Sequence, residues 1–177
     1  MNHPHTPWES LFRQIHSRAV EAWHSGKRSP TSMFSPEDEQ FLASIGCSAQ
    51  EMFDFVDDLC YANEPDLETV LAIQAIRKDY LAKEMRGIPS TSIASMDSLP
   101  PKSQAVDGIP WLPRLIVKAR LKLRGEMPAD LMYGCGGDRP FVARMRTTLH
   151  DFLSLVRDCG EDDRKIINAV KRSAGIS

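Results

Sequence analysis

Residues 111–125 read WLPRLIVKARLKLRG, and this stretch decides the fold class. Its apolar side chains recur every three or four positions, which is the period of an amphipathic α-helix. Gly125 follows the last of them, at the place where glycine commonly ends a helix. The pattern therefore predicts a helix from about residue 111 to 124. Its apolar positions are Trp111, Leu112, Leu115, Ile116, Ala119 and Leu123.

The same period recurs on both sides of this stretch, and no segment shows the alternation typical of a strand. Capping residues mark the helix starts, because their side chains accept hydrogen bonds from the first backbone N–H groups. We therefore predict an all-α fold of about eight helices, in two similar four-helix units packed together. The other seven starts are at Thr6-Pro7, Ser35-Pro36, Ser48-Ala49, Pro65-Asp66, Asp138-Arg139-Pro140, Thr148-Leu149 and Asp162-Asp163.

Residues 88–110 break the helical pattern. This stretch, IPSTSIASMDSLPPKSQAVDGIP, holds four prolines and five serines and shows no period. Such composition is typical of a linker or an extended surface crossing. We therefore divide the chain into a helical unit at residues 1–87, a linker at 88–110 and a second helical unit at 111–177.

The composition is that of an ordinary globular protein. The 177 residues are 42% hydrophobic and 26% charged, with a formal net charge of −2. No apolar run approaches the roughly 20 residues that a membrane span needs, and the first ten residues do not resemble a secretory signal. We expect a cytoplasmic protein that does not enter membranes. Its four cysteines are far apart in sequence, which favours reduced thiols over disulfides or a zinc site.

The second half of the chain echoes the first at an offset of 100 residues. The helix order and the phase of the apolar positions agree without a gap, which favours an internal duplication over chance. The identical pairs join Ala19, Asp38, Phe41, Ala43, Val56, Asp58 and Val70 to Ala119, Asp138, Phe141, Ala143, Val156, Asp158 and Val170.

Three stretches of the second half form a distinctive set of motifs. They are Pro101-Lys102-Ser103, Trp111-Leu112-Pro113-Arg114 through to Gly125, and Cys135-Gly136-Gly137-Asp138 followed by Phe141. With these motifs, residues 101–173 resemble a bacterial family that is catalogued as domain of unknown function 5069. The first half matches less closely, since Ser35 stands where Cys135 stands. The resemblance implies a small helical domain, here in two tandem copies, and it brings no activity or ligand with it.

The loop of residues 133–138, YGCGGD, is the most distinctive local feature. Glycines before a helix leave backbone N–H groups accessible to anions, and a cysteine there can be reactive. Asp138 is expected to cap the next helix and so to fill that anion position, which favours a structural turn. The alternative is a ligand or anion site formed by Cys135 and Asp138 with Arg114 and Lys118.

The helix at 111–124 is strongly basic. Arg114, Lys118 and Lys122 repeat at intervals of four, and no acidic residue lies between Asp107 and Glu126. Residues 91–177 carry 14 basic and 10 acidic side chains, a net charge of +4. This is weak for a nucleic-acid-binding protein. We therefore interpret the stripe as a solvated or docking face, with weak nucleic-acid binding as an alternative.

No motif indicates a cofactor or a metal. Walker, dinucleotide and H-E-x-x-H patterns do not occur, and both Glu21 with His24 and His150-Asp151 lack the further ligands that their metal sites require. The leading hypothesis is thus a non-catalytic interaction or structural module, with a protein partner or self-association. The second is a protein that binds a small molecule or phosphate through the 133–138 loop and the basic helix. Catalysis by residues distant in sequence stays open.

Overall fold

The computed structural model describes residues 6–176, and within them nine α-helices dominate. The predicted all-α class is therefore confirmed. The helices are α1 (Pro7–His24), α2 (Pro30–Met33), α3 (Pro36–Ser44), α4 (Ala49–Ala62), α5 (Leu67–Lys83), α6 (Leu112–Arg124), α7 (Asp138–Arg144), α8 (Leu149–Cys159) and α9 (Asp163–Ala174). None of these helices is both long and apolar enough to cross a bilayer.

Local capping explains where several helices begin. The hydroxyl of Ser48 accepts a hydrogen bond from the Glu51 amide at 3.0 Å, and that of Thr148 accepts from Asp151 at 3.1 Å. Asp162 caps α9 in the same way. Each bond satisfies a backbone donor that has no partner inside the helix. These caps lie where the sequence predicts them.

Several short elements were not predicted from the sequence. The four-residue α2 lies between α1 and α3, and strands β1 (Ala105–Val106) and β2 (Ile109–Pro110) pair in antiparallel fashion. Asp107 and Gly108 connect the strands with φ angles of 48° and 76°. An Asp-Gly pair adopts such angles readily and is a strong hairpin signal. Each strand has only two residues, which is too short for an alternating pattern to appear in the sequence.

The contacts within the chain define two compact units, the first ending at Gln74 and the second beginning at Ala75. In the first unit, α1 packs on α4, and α2 and α3 also contact α4. The Gln74 side chain donates a buried hydrogen bond of 2.7 Å to the carbonyl of Ile45. The core includes Phe12, Ile15, Ala19, Leu42, Met52, Phe55, Val56, Val70 and Ile73. The predicted limits of the helical units at 87 and 111 stay predictions.

In the second unit, α6, α7 and α9 each contact α8. Residues 88–110 belong to this unit, and Leu99 packs with Leu121 and Leu131 in a small apolar cluster. A 3₁₀ helix spans Met96–Ser98. The main core includes Leu112, Leu115, Ile116, Ala119, Phe141, Phe152, Leu153, Val156, Ile166 and Val170.

Candidate functional site

Three of the four predicted site residues meet in the interior of the second unit. The Lys118 ammonium forms an ion pair with Asp138 Oδ2 and lies 3.3 Å from Cys135 Sγ. The Lys118 and Asp138 side chains are only 2% and 0% exposed. Arg114 does not join them, since its guanidinium donates to the carbonyl of Pro100 at 2.8 Å. The predicted ligand site that includes Arg114 therefore stays a prediction.

Asp138 accepts hydrogen bonds from three parts of the chain. Besides Lys118, the Trp111 indole N–H donates to Oδ1 at 3.0 Å and the Gly134 amide donates to Oδ2 at 2.9 Å. The expectation that Asp138 caps α7 is wrong, because Gly137 occupies the N-cap position. The carboxylate turns inward instead, since a buried lysine requires a compensating charge. We call Trp111, Lys118, Gly134, Cys135 and Asp138 the lysine–aspartate cluster.

Trp111 is held in an unusual backbone conformation. Its φ of 73° is uncommon for a bulky residue and costs about 1–3 kcal/mol, so that surrounding contacts must maintain it. The indole supplies those contacts through its bond to Asp138 and through its close packing against Gly137. Nothing in the sequence signals this conformation.

The two adjacent glycines of the loop differ in the space beside them. A Cβ on Gly137 would lie 2.5 Å from Trp111 Cη2, far inside the normal carbon contact distance of about 3.5–4.0 Å. We expect Gly137→Ala to lower the free energy of unfolding by about 1–3 kcal/mol through overpacking. Gly136→Ala is the matched control, because its Cβ would come no closer than 3.7 Å to Arg139. Urea unfolding checks both, and equal losses would contradict the packing argument.

Tyr133, which precedes Gly134 of the lysine–aspartate cluster, belongs to the same buried region. Its side chain is buried, and its hydroxyl donates to the carbonyl of Leu149 at 2.7 Å. Burial, with a smaller effect from Asp138, raises the pKa of Tyr133 well above its usual value. The phenol therefore stays protonated and acts as a donor. The charged groups of the lysine–aspartate cluster bond to each other, because their side chains are at most 2% exposed to solvent.

The basic helix does not present its stripe to solvent. Lys118 and Lys122 are each 1% exposed, so the interpretation of this stripe as a solvated face is wrong for both. The spacing of four does place Lys118 and Lys122 on one face, but this face packs inward. Nucleic-acid binding by this helix is therefore less favoured, because Lys118 and Lys122 are not accessible at the surface.

Two arginines of α6, Arg120 and Arg124, line a cleft that the sequence alone did not indicate. Its volume is about 200 Å³, and Arg120 and Arg124 line it together with Arg157 of α8 and Glu161. Tyr80 also contributes to the wall. Arg157 and Glu161 carry no sequence signal for this role, because their proximity to α6 arises only in the folded unit. We call this site the arginine cleft.

Residues 6–176 contain no assembled metal site. No group of three or more His, Cys, Asp or Glu side chains in this range could hold a metal ion. Asp151, considered above with His150, bonds to the Thr148 cap instead. The four cysteines are all free thiols, as predicted.

Comparisons with protein-family models, curated proteins and solved structures found no match for the chain. The resemblance to domain of unknown function 5069 therefore stays a prediction.

Proposed function

We propose that the protein is a non-catalytic helical interaction module that self-associates. The observation that carries the proposal is an exposed apolar segment in the second unit. Ile88, Ile93 and Met96 are 70%, 65% and 37% exposed within nine residues of chain. The other exposed large apolar side chains in the described residues are Leu11, Tyr61 and Ile176, and they are scattered along the sequence. Three exposed apolar side chains so close in sequence are able to form one apolar patch, and such patches are typical of interaction surfaces, whereas scattered exposure is ordinary.

The apolar segment is held in place by bonds to the rest of its unit. The Ala94 amide donates to the carbonyl of Glu126 at 2.9 Å, and the Ser90 hydroxyl donates to the Glu126 carboxylate at 2.8 Å. An ordered segment loses less conformational entropy on binding than a disordered one. This supports a preformed contact surface.

The lysine–aspartate cluster supports the non-catalytic part of the proposal. A catalytic group must come within hydrogen-bond distance of its substrate. Lys118 and Asp138 are at most 2% exposed and bond to each other. Their arrangement is that of a structural ion pair.

We also infer that the two units arose by duplication. Helices α1 and α6 end at His24 and Arg124, and α4 and α8 begin at Ala49 and Leu149, each pair 100 positions apart. The ion pair of Lys118 and Asp138 has a counterpart at the same offset, where Arg18 lies 2.5 Å from Asp38. These shared registers support the internal repeat.

Sedimentation velocity tests the proposed self-association. We expect the wild type to form a dimer as its concentration rises, and Ile88→Ser/Ile93→Ser to weaken the dimer at least about tenfold, or roughly 1.4 kcal/mol. Tyr61→Ser is the control, because Tyr61 is 86% exposed but lies in the first unit. A wild type that stays monomeric would refute the proposal, as would a double variant that dimerises like the wild type.

A further inference from the structure

The arginine cleft brings together three guanidinium groups from two helices of the second unit. Arg120 and Arg124 are four residues apart on α6 and therefore share a face, and Arg157 comes from α8. The unit as a whole favours anions. Residues 75–177 carry 18 basic and 12 acidic side chains, a net charge of +6, whereas residues 1–74 carry 4 and 12, a net charge of −8.

Arg120 forms a fixed wall of the cleft. Its guanidinium donates twice to the carbonyl of Gly160, at 3.1 and 2.8 Å, and pairs with Asp163 at 2.6 Å. The side chain is only 13% exposed. Its position is therefore set by the protein, and it supplies positive charge to the cleft without rearrangement.

In both Arg124 and Arg157, the Nε atom has a closer acidic partner than the Nη1 atom has. In each, Nε has a close partner at 2.9 Å, which is Glu126 for Arg124 and Asp158 for Arg157. The Nη1 atoms lie farther from their carboxylate partners, with Glu161 at 3.5 Å from Arg124 and Asp79 at 3.7 Å from Arg157. Charge-assisted hydrogen bonds are normally about 2.7–2.9 Å long. The Nη1 atoms of Arg124 and Arg157 can therefore form shorter hydrogen bonds to a bound anion than they form to these carboxylates.

Glu161 occupies the position that such an anion would take. Its carboxylate lies 3.5 Å from both Arg120 and Arg124, and its side chain is 80% exposed. Exposed ion pairs of this length contribute little stability. An external anion with more charge can displace this carboxylate into solvent.

We propose that the arginine cleft binds a small phosphate monoester of a polyol. A phosphate dianion offers three oxygens, and guanidinium groups bind phosphate oxygens through paired N–H donors. Glu84 and Tyr80 also line the cleft and can bond to ligand hydroxyl groups. A volume of about 200 Å³ restricts the ligand to a short polyol, because pockets for larger molecules reach about 300–1,000 Å³. This site goes beyond the proposed self-association and does not depend on it.

Isothermal titration calorimetry with glycerol 3-phosphate tests the site. We expect saturable binding to the full chain, weakened at least tenfold in both Arg124→Gln and Arg157→Gln. Glu161→Gln should bind at least threefold more tightly than the wild type, because it removes the competing charge while keeping the side-chain size. Arg164→Gln is the matched control, since Arg164 is 66% exposed and pairs with Asp107 outside the cleft.

Two further probes separate a phosphate site from a general anion site. Sodium sulfate and glycerol should each bind more weakly than glycerol 3-phosphate, because each offers only part of the ligand. Equal affinity for sulfate would overturn the phosphate monoester assignment. The site itself would be refuted if neither wild type nor Glu161→Gln bound glycerol 3-phosphate, or if both arginine variants bound it like the wild type with unchanged unfolding midpoints.

Discussion

Asp138→Ala should lower the free energy of unfolding by about 3–5 kcal/mol, since it leaves the buried charge of Lys118 without a partner. It also removes the acceptor of the Trp111 indole and of the Gly134 amide. A buried donor without an acceptor is destabilising, because folding removes its hydrogen bonds to water and nothing replaces them. Urea unfolding at pH 7, followed by circular dichroism, measures the loss.

The first unit supplies a matched control at the same register. Asp38 pairs with Arg18, but their side chains are 14% and 52% exposed. Asp38→Ala also removes the acceptor of the Ser35 amide in the α3 cap, but it leaves the charge of Arg18 in contact with solvent, so it should lose less than Asp138→Ala. Equal losses in the two variants would show that burial of the ion pair does not determine its effect.

A double-mutant cycle isolates the interaction between the two charges. Lys118→Met and Asp138→Asn each leave one buried charge unpaired, whereas the double variant leaves none. The double variant should therefore be more stable than the sum of the single losses predicts, by about 0.5–3 kcal/mol. Additive losses would contradict a direct pair.

Features of this fold that depend on neighbouring residues are predictable from the sequence, whereas features that depend on distant residues are not. The capping bonds of Ser48 and Thr148 span three residues, so their signals are complete in the local sequence. The strained Trp111 depends on packing against Gly137, which lies 26 positions later and gives no local signal. Patterns of neighbouring residues therefore identify the helices, but they do not show the contacts that hold the 133–138 loop in place.

The residues of the candidate site show the same difference between local and long-range signals. Lys118 and Asp138 were grouped as parts of an anion site, and the structure joins them as a buried ion pair. The stripe of positive charge was misjudged because helical spacing shows which residues share a face and not whether that face is buried. The pairing of Arg157 with Asp79 depends entirely on tertiary structure.

The largest expected pH effect comes from His16 in the first unit. The residue is 3% exposed, its Nε2 atom has no hydrogen-bond partner, and burial lowers its pKa from 6.5 to about 4. The folded state therefore binds this proton less readily than the unfolded state. Stability should fall as the pH drops from about 6.5 towards 4, by up to about 3 kcal/mol, since one pKa unit corresponds to about 1.4 kcal/mol.

Urea unfolding of His16→Leu and Asp54→Asn between pH 7 and 4.5 tests this assignment. Leucine is an apolar side chain of similar size, so it can fill this buried position without a titratable group. Burial raises the pKa of Asp54 from 3.8 to about 6, so protonation of Asp54 adds stability as the pH falls through this range. His16→Leu should thus flatten or reverse the acid loss, and Asp54→Asn should steepen it. If the wild type and His16→Leu lost stability in parallel, His16 could not be its cause.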